Sequence, residues 1–436
     1  MKVRLFANHR EAVFIRRPNR FLIIAGDGEE IPCHCPNPGR LIEFFGFRGR
    51  DIPGIRIILE KREEKNKPQR AKTAYTAVGL YYPSGLGAGE SVVPLFSSRA
   101  NRAAQILVLK EIIPGLREVY PEYTLGNSRF DFLCTAERGR RHLVEVKACS
   151  LVEQGVAMFP DAPSKRALKH LEELAALNRQ GYVCHVLFII VHGRPRVFIP
   201  NLHTDPELAA GLSRLGRAAA PAPGAKPVPA DHAAPGAARK NGKGRGSGKV
   251  LIHAALLRLD RRGDAVLAKA SVPVDLSRGK LAESDRGSYL IILELPTETE
   301  TEAGSLGKIC FKPGWYVYAG SAQKNLRALV NRRLQKTGKK KHWPLDYLTP
   351  FAGSIQALPF MSYRNLECAL SAELAALGGK PLRSRIKGKP GFGASGCTGG
   401  CASHLWYFAG PPVQNRAFVD MIFRYRHVEA LRPANP

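Results

Sequence analysis

The chain is short of acid. Its 436 residues hold 37 Asp and Glu against 66 Lys and Arg, a formal net charge of +29. Long apolar runs are also missing, and none approaches the ~20 residues that span a bilayer. The start, "MKVRLFANHREAVF", has no extended apolar core of a secretory signal. A cytoplasmic chain with no membrane partner is the expectation. The nine cysteines are odd in number and scattered, which argues against a disulfide scaffold and for a reducing compartment. No basic amphipathic helix with a bulky apolar face is visible. The positive field therefore points to nucleic acid before a membrane surface.

Apolar residues make up 44%, enough for globular packing, and 436 residues are too many for one ordinary core. Residues 216–249, "GRAAAPAPGAKPVPADHAAPGAARKNGKGRGSGK", have no aromatic residue and a single Val. Such a segment buries too little to offset chain entropy and is expected to be a flexible linker. The excess charge is about +10 before it, +6 within it and +13 after it. Residues 1–75 alternate short apolar runs with turns, the pattern of a small β-barrel. Residues 76–215 mix strands with helices, including "SSRANRAAQILVLKEIIPG", which stops at Pro114-Gly115. Another is "SKRALKHLEELAALNRQGY", with Ser164 as N-cap and Gly181 at its far side. Residues 250–436 read as a second, basic α+β domain. No internal repeat appears.

The stretch "NSRFDFLCTAERGRRHLVEVKAC" (127–149) reads as two strands around a turn centred on Arg138. Asp131 then faces Glu145, and Glu145 shares a face with Lys147, while Val144 and Val146 point into a core. Two carboxylates that close repel unless neutralised. A magnesium ion bound by Asp131 and Glu145, with Lys147 stabilising developing charge, would suit phosphodiester cleavage. A satisfied ion pair of Lys147 with either carboxylate is the plain alternative. Arg166, Lys169 and His170 lie close together on the following helix, facing either a phosphate or solvent. Cys33-His34-Cys35 has no second ligand pair nearby and is expected to be loop.

The motifs "RRPNRF", "HCPNPGRL", "NSRFDF", "VEVKACSLVEQGVAMFPDAPSKRALKHLEEL" and "DPELAAGL" occur in this order. Over roughly residues 1–215 they resemble the sugar fermentation stimulation protein A (SfsA) family. The resemblance implies an OB-like barrel followed by a PD-(D/E)XK nuclease-like α/β domain, DNA binding, and a link to regulation of sugar use. It also implies Asp131 and Glu145 as metal carboxylates, Lys147 as the catalytic lysine and Glu122 as a further acid; Arg40 is read as a DNA contact. After "NPGRL" the chain departs from the family with "IEFFGFRGRDIPG". Phe44, Phe45 and Phe47 beside Arg48 and Arg50 either stack bases or fill the barrel.

Residues 285 to about 410 resemble a small domain distantly related to GIY-YIG nucleases. "RGSYLI", "GWYVYAGSA", "HWPLDYL", "ECALS", "GFGASGC" and "SHLWYF" carry the likeness. It implies a second site of Tyr289, Tyr318 and Glu367. The helix position that usually holds arginine is Leu329, and Ser288 replaces an apolar residue, so a degenerate site without cleavage is expected. The run Arg327, Arg332, Arg333, Lys336, Lys339, Lys340 and Lys341 has no acid within it and suits a DNA backbone. Cys397, Cys401 and His404 form C-x3-C-x2-H, one ligand short of a structural zinc site unless Cys368 approaches, so zinc is not expected. The multidomain α+β chain is thus read as a DNA-binding protein, as a magnesium-dependent DNA endonuclease, or as a scaffold that tethers other factors.

Overall fold

Strands His9–Asn19, Leu22–Gly26, Glu30–His34, Arg56–Lys61 and Tyr75–Pro83 curl into a closed five-stranded barrel. The parallel pairing of Cys33 with Tyr75 and His34 with Thr76 shuts it. Alternation along these strands sends Phe14, Ile23, Ala25, Cys33, Ile57, Leu59 and Ala77 inward. Phe44 and Phe45 end a one-turn helix, Ile42–Phe45, and are fully buried in the same core. Phe45 stacks on Phe14 at 4.4 Å. They fill the barrel and offer no face to bases. Cys33 and His34 belong to a strand, not to a loop, and Cys33 and Cys35 are buried.

In this computed structural model the chain forms two units, residues 1–279 and 280–436. The structure describes residues 1–26, 28–37, 39, 41–45, 54–62, 73–83, 90–96, 98–126, 128–219, 247–302, 307–338, 340–341, 343–383, 391–394, 397 and 399–431. Arg40, Phe47, Arg48, Arg50, Lys339 and most of the expected linker lie outside them. No described helix is long and apolar enough to cross a membrane.

The second layer of the first unit is a mixed eight-stranded sheet. At its centre Arg141–Cys149 runs parallel to Val183–Ile190 and antiparallel to Ser128–Ala136. The helical run from Arg99 to Ile112 covers one face, and helices Lys165–Arg179 and Pro206–Leu215 cover the other. Ser164 caps its helix by accepting from the Ala167 N–H, and Asp205 caps the next by accepting from Leu208. Asp205 also accepts from the Ser164 N–H at 2.8 Å, so the "DPELAAGL" motif fixes where the preceding helix starts.

Three expected boundaries move. Tyr75–Pro83 and Glu90–Pro94 continue the barrel sheet past residue 75. Lys2–Arg4 does not join the barrel; it pairs with Asp264–Lys269 at the edge of the large sheet. Val250–Leu259, assigned from sequence to the second domain, lies parallel to Val183–Ile190. Its apolar residues Ile252, Ala254 and Leu256 complete a core that strand Val183–Ile190 leaves open. The first unit therefore resumes beyond the expected linker, and the second begins near residue 280. Gly216–Ala218, at the start of that linker, is itself a short strand beside Val250–Ile252.

The second unit is a five-stranded sheet in the order Ser354–Met361, Gly287–Leu295, Gly314–Ala322, Leu405–Phe408, Lys380–Pro381. Helices Leu326–Leu334 and Glu367–Ala376 accompany it. Ser288 is buried, and its hydroxyl accepts from the Leu366 N–H at 2.9 Å just before the second of these helices. That polar residue in an apolar strand thus has a structural task.

Candidate functional site

The hairpin 128–149 turns where the sequence places it. Val144 pairs with Phe132 and Leu143 with Leu133, a register that carries Asp131 opposite Glu145 one step further on. Arg138 adopts the left-handed conformation at the turn, with φ 61°. Val144 and Val146 are buried in the core against the Arg99–Ile112 run. Glu145 and Lys147 point to the other face.

Asp131 is held on both oxygens. Asn101 donates to Oδ1 and the Val146 N–H to Oδ2, each at 2.7 Å. Burial and the neighbouring Glu145 charge nevertheless push its carboxyl above the usual range. Glu145 is buried, and burial alone would raise it too. Hydrogen bonds from His170 (Nδ1 to Oε1, 2.6 Å) and Lys147 outweigh that and hold its carboxyl below the usual range. Both partners use Oε1. Oε2 is buried and has no hydrogen-bond partner among the described residues. A buried carboxylate oxygen without a partner is costly, and an ordered water or a bound cation can offset that cost.

His170, expected to face a phosphate or solvent, is buried and faces Glu145. Arg166 and Lys169 are exposed, and Lys169 lies 3.6 Å from Glu173. Glu122 does not join the pair. Its carboxylate is exposed and lies 3.1 Å from Arg129. Asn101 escaped the sequence reading because nothing local links residue 101 to residue 131.

In the second unit Tyr289 and Tyr318 sit with ring centroids 6.3 Å apart. Gly320 permits this, because a Cβ there would meet the Tyr289 ring at 2.6 Å. Leu329 does not leave the site without an arginine. Arg333, one helical turn later, is buried, bonds Tyr289 and lies 3.3 Å from the buried Asp346. Arg333 is therefore withdrawn from any DNA surface. Arg327 lies 3.1 Å from Asp285, and Arg332 lies 3.8 Å from Asp346. Lys336 donates to the Ala352 carbonyl. Among the described residues of the expected basic run, Lys340 and Lys341 are exposed without a carboxylate partner. The acids that answer the run come from elsewhere in the chain.

Glu367 is committed on both oxygens. Its Oε1 lies 2.6 Å from His404 Nδ1, and its Oε2 accepts from Ser321 at 2.5 Å. Beside it, Cys368, Cys397, Cys401 and His404 bring their ligand atoms within 4.8 Å of one another. Cys368 does approach, which removes the ground for expecting no zinc. Burial raises the Cys397 thiol, but backbone N–H groups of Cys401 and Gly399 and the neighbouring thiols lower it to about 6.

Residues 15–87 match the SfsA N-terminal OB domain, 98–220 the sugar fermentation stimulation protein RE domain, and 288–426 the domain of unknown function DUF123. A sugar fermentation stimulation protein homolog of Desulfitobacterium hafniense (strain DSM 10664 / DCB-2) is 36% identical over 200 residues, 46% of this chain and 80% of the relative. The homolog of Methanothermobacter thermautotrophicus is 35% identical over 221 residues, 50% of this chain and 85% of the relative. Among solved structures, Pyrococcus furiosus SfsA in complex with Ca2+ aligns with a TM-score of 0.45 and 23% identity, over 63% of this chain and 99% of that one. The chain belongs to the sugar fermentation stimulation protein family, with a DUF123 region following the family's two domains.

Proposed function

We propose that this protein binds DNA and that its first unit cleaves phosphodiesters with a divalent cation, magnesium being the expected one. The observation that carries the reading is the buried, unpartnered Oε2 of Glu145 next to Asp131. The two carboxylates, one tied to backbone and one to a histidine, supply the hard oxygen ligands such an ion takes. The cation would contribute Lewis-acid polarisation of a phosphate oxygen and a lowered pKa for its water. The chain's own residues do the rest. Asn101 and the Val146 N–H fix the Asp131 carboxylate. His170 fixes Glu145 from the helix above. Lys147, one-fifth exposed, puts an ammonium beside Glu145 where charge develops on a phosphate.

A second reading, DNA binding without cleavage, with the role in sugar use that the relatives' name suggests, rests on the Lys147–Glu145 pair. That pair already neutralises one carboxylate. Supercoiled plasmid incubated with the full chain separates the two. Nicking that requires magnesium, with magnesium heat in calorimetry, supports cleavage. Salt-sensitive binding with neither signal leaves the binding reading standing.

A further inference from the structure

We propose that Cys368, Cys397, Cys401 and His404 bind one zinc ion in a closed, four-coordinate structural site, with Glu367 as the residue that positions His404. Four observations meet there. The first is convergence: the four ligand atoms lie within 4.8 Å of one another although Cys368 and Cys397 are 29 residues apart. The Cys368 and Cys397 sulfurs are 3.4 Å apart. A tetrahedral site with Zn–S bonds of ~2.3 Å sets its sulfurs about 3.8 Å apart, so a few tenths of an ångström of opening admits the ion. A disulfide, at ~2.05 Å, is not formed, and all four cysteines of this unit are free thiols.

The second is room made for sulfur. A Cβ on Gly399 would lie 2.8 Å from the Cys368 sulfur, and only glycine lets this backbone pass so close. The third is the histidine. His404 is buried, its Nδ1 lies 2.6 Å from Glu367 Oε1, and neither ring nitrogen makes a well-aligned hydrogen bond among the described residues, so its Nε2 is open to a metal. A metal-bound imidazole has this arrangement: one nitrogen on the ion, the other N–H on a carboxylate that sets the ring's orientation. The fourth is that Ser321 holds the other oxygen of that carboxylate, so Glu367 orients His404 and does not ligate.

Three thiolates and one imidazole with no open position select zinc over hard cations, which prefer oxygen. The ion would fasten the first turn of helix Glu367–Ala376 to the loop before strand Leu405–Phe408. It would thereby set the Glu367 carboxylate beside the Tyr289–Tyr318 pair.

The test uses the full chain, purified under reducing conditions without chelator. One zinc per chain by mass spectrometry is expected, and it should be lost in Cys368→Ser and in Cys401→Ser. Where a cysteine variant does not fold, cobalt titration of the wild type decides. Saturation at one equivalent with thiolate-to-cobalt charge-transfer absorption and a tetrahedral ligand-field spectrum supports the site. Glu367→Gln should keep the ion but weaken it roughly 10- to 100-fold in chelator competition, with shifted cobalt bands and an unchanged far-UV spectrum. Wild type that holds no zinc and takes up neither metal overturns the proposal, as does zinc retained by both cysteine variants or a native disulfide among the three cysteines. Unchanged affinity in Glu367→Gln overturns the positioning role.

Discussion

Each unit of this protein contains a glutamate whose Oε1 sits 2.6 Å from a histidine Nδ1: Glu145 with His170 in the first, Glu367 with His404 in the second. Residue type and distance are the same. The other oxygen makes the difference. Glu145 Oε2 is buried with no hydrogen-bond partner among the described residues, whereas Glu367 Oε2 takes the Ser321 hydroxyl. The first carboxylate has coordination to give, and its histidine holds it still. In the second pair the roles reverse: the carboxylate is saturated, and its histidine has the spare nitrogen. A glutamate–histidine contact therefore says little until all four polar atoms are accounted for.

The comparison can be broken first at Arg333, which shares the second unit's centre with Glu367. Arg333→Ala removes the guanidinium 3.3 Å from the buried Asp346 carboxylate and leaves Arg332, at 3.8 Å, as the more distant cation beside it. It should destabilise the second unit by about 3–5 kcal/mol, read from its calorimetric transition. A loss of plasmid affinity without loss of stability would return Arg333 to the DNA surface.

The next effect sharpens the comparison directly. Glu145→Gln should lower magnesium-dependent nicking at least ~100-fold, the scale of losing one electrostatic contributor to the transition state. Glu367→Gln should leave nicking unchanged. Equal losses in the two variants would mean that the second unit also cuts.

Without metal, Asp131 and Glu145 should affect stability in opposite directions. Asp131 has a folded pKa raised by burial and by Glu145, so its contribution is fully present below its unfolded pKa and is lost as pH rises through the folded value. Glu145 has a folded pKa lowered by His170 and Lys147 against the cost of burial. Its contribution is present above its unfolded pKa and is lost as pH falls through the folded one. At neutral pH in chelator, Asp131→Asn should raise the midpoint of thermal unfolding and Glu145→Gln should lower it. Movement in the same direction would show that hydrogen bonds, and not charge, dominate at both positions.

The smallest effect belongs to Glu122. Its pair with Arg129 is about two-thirds exposed on both sides, so Glu122→Gln should cost less than ~0.5 kcal/mol in urea and leave nicking intact. A large loss of activity would restore Glu122 as a third acid.

Much of this was legible in the chain. The period of two in "RFDFLC" and "HLVEVKAC" separates Val144 and Val146 from Glu145 and Lys147, and the turn at Arg138 sets Asp131 against Glu145. Those are local facts, decided within one hairpin by side-chain alternation and one left-handed turn. The caps at Ser164 and Asp205 are local for the same reason. What the tertiary structure alone decided is every contact between segments distant in sequence. Asn101 reaches Asp131, Val250–Leu259 enters the first unit's sheet, Arg333 is buried 3.3 Å from Asp346, and the Cys368 sulfur lies 3.4 Å from that of Cys397, 29 residues later. Periodicity says which face of a strand or helix is apolar but not which other segment covers it. That choice depends on strand order and on the angle at which helices lie across a sheet, and both are set by the packing of the whole core.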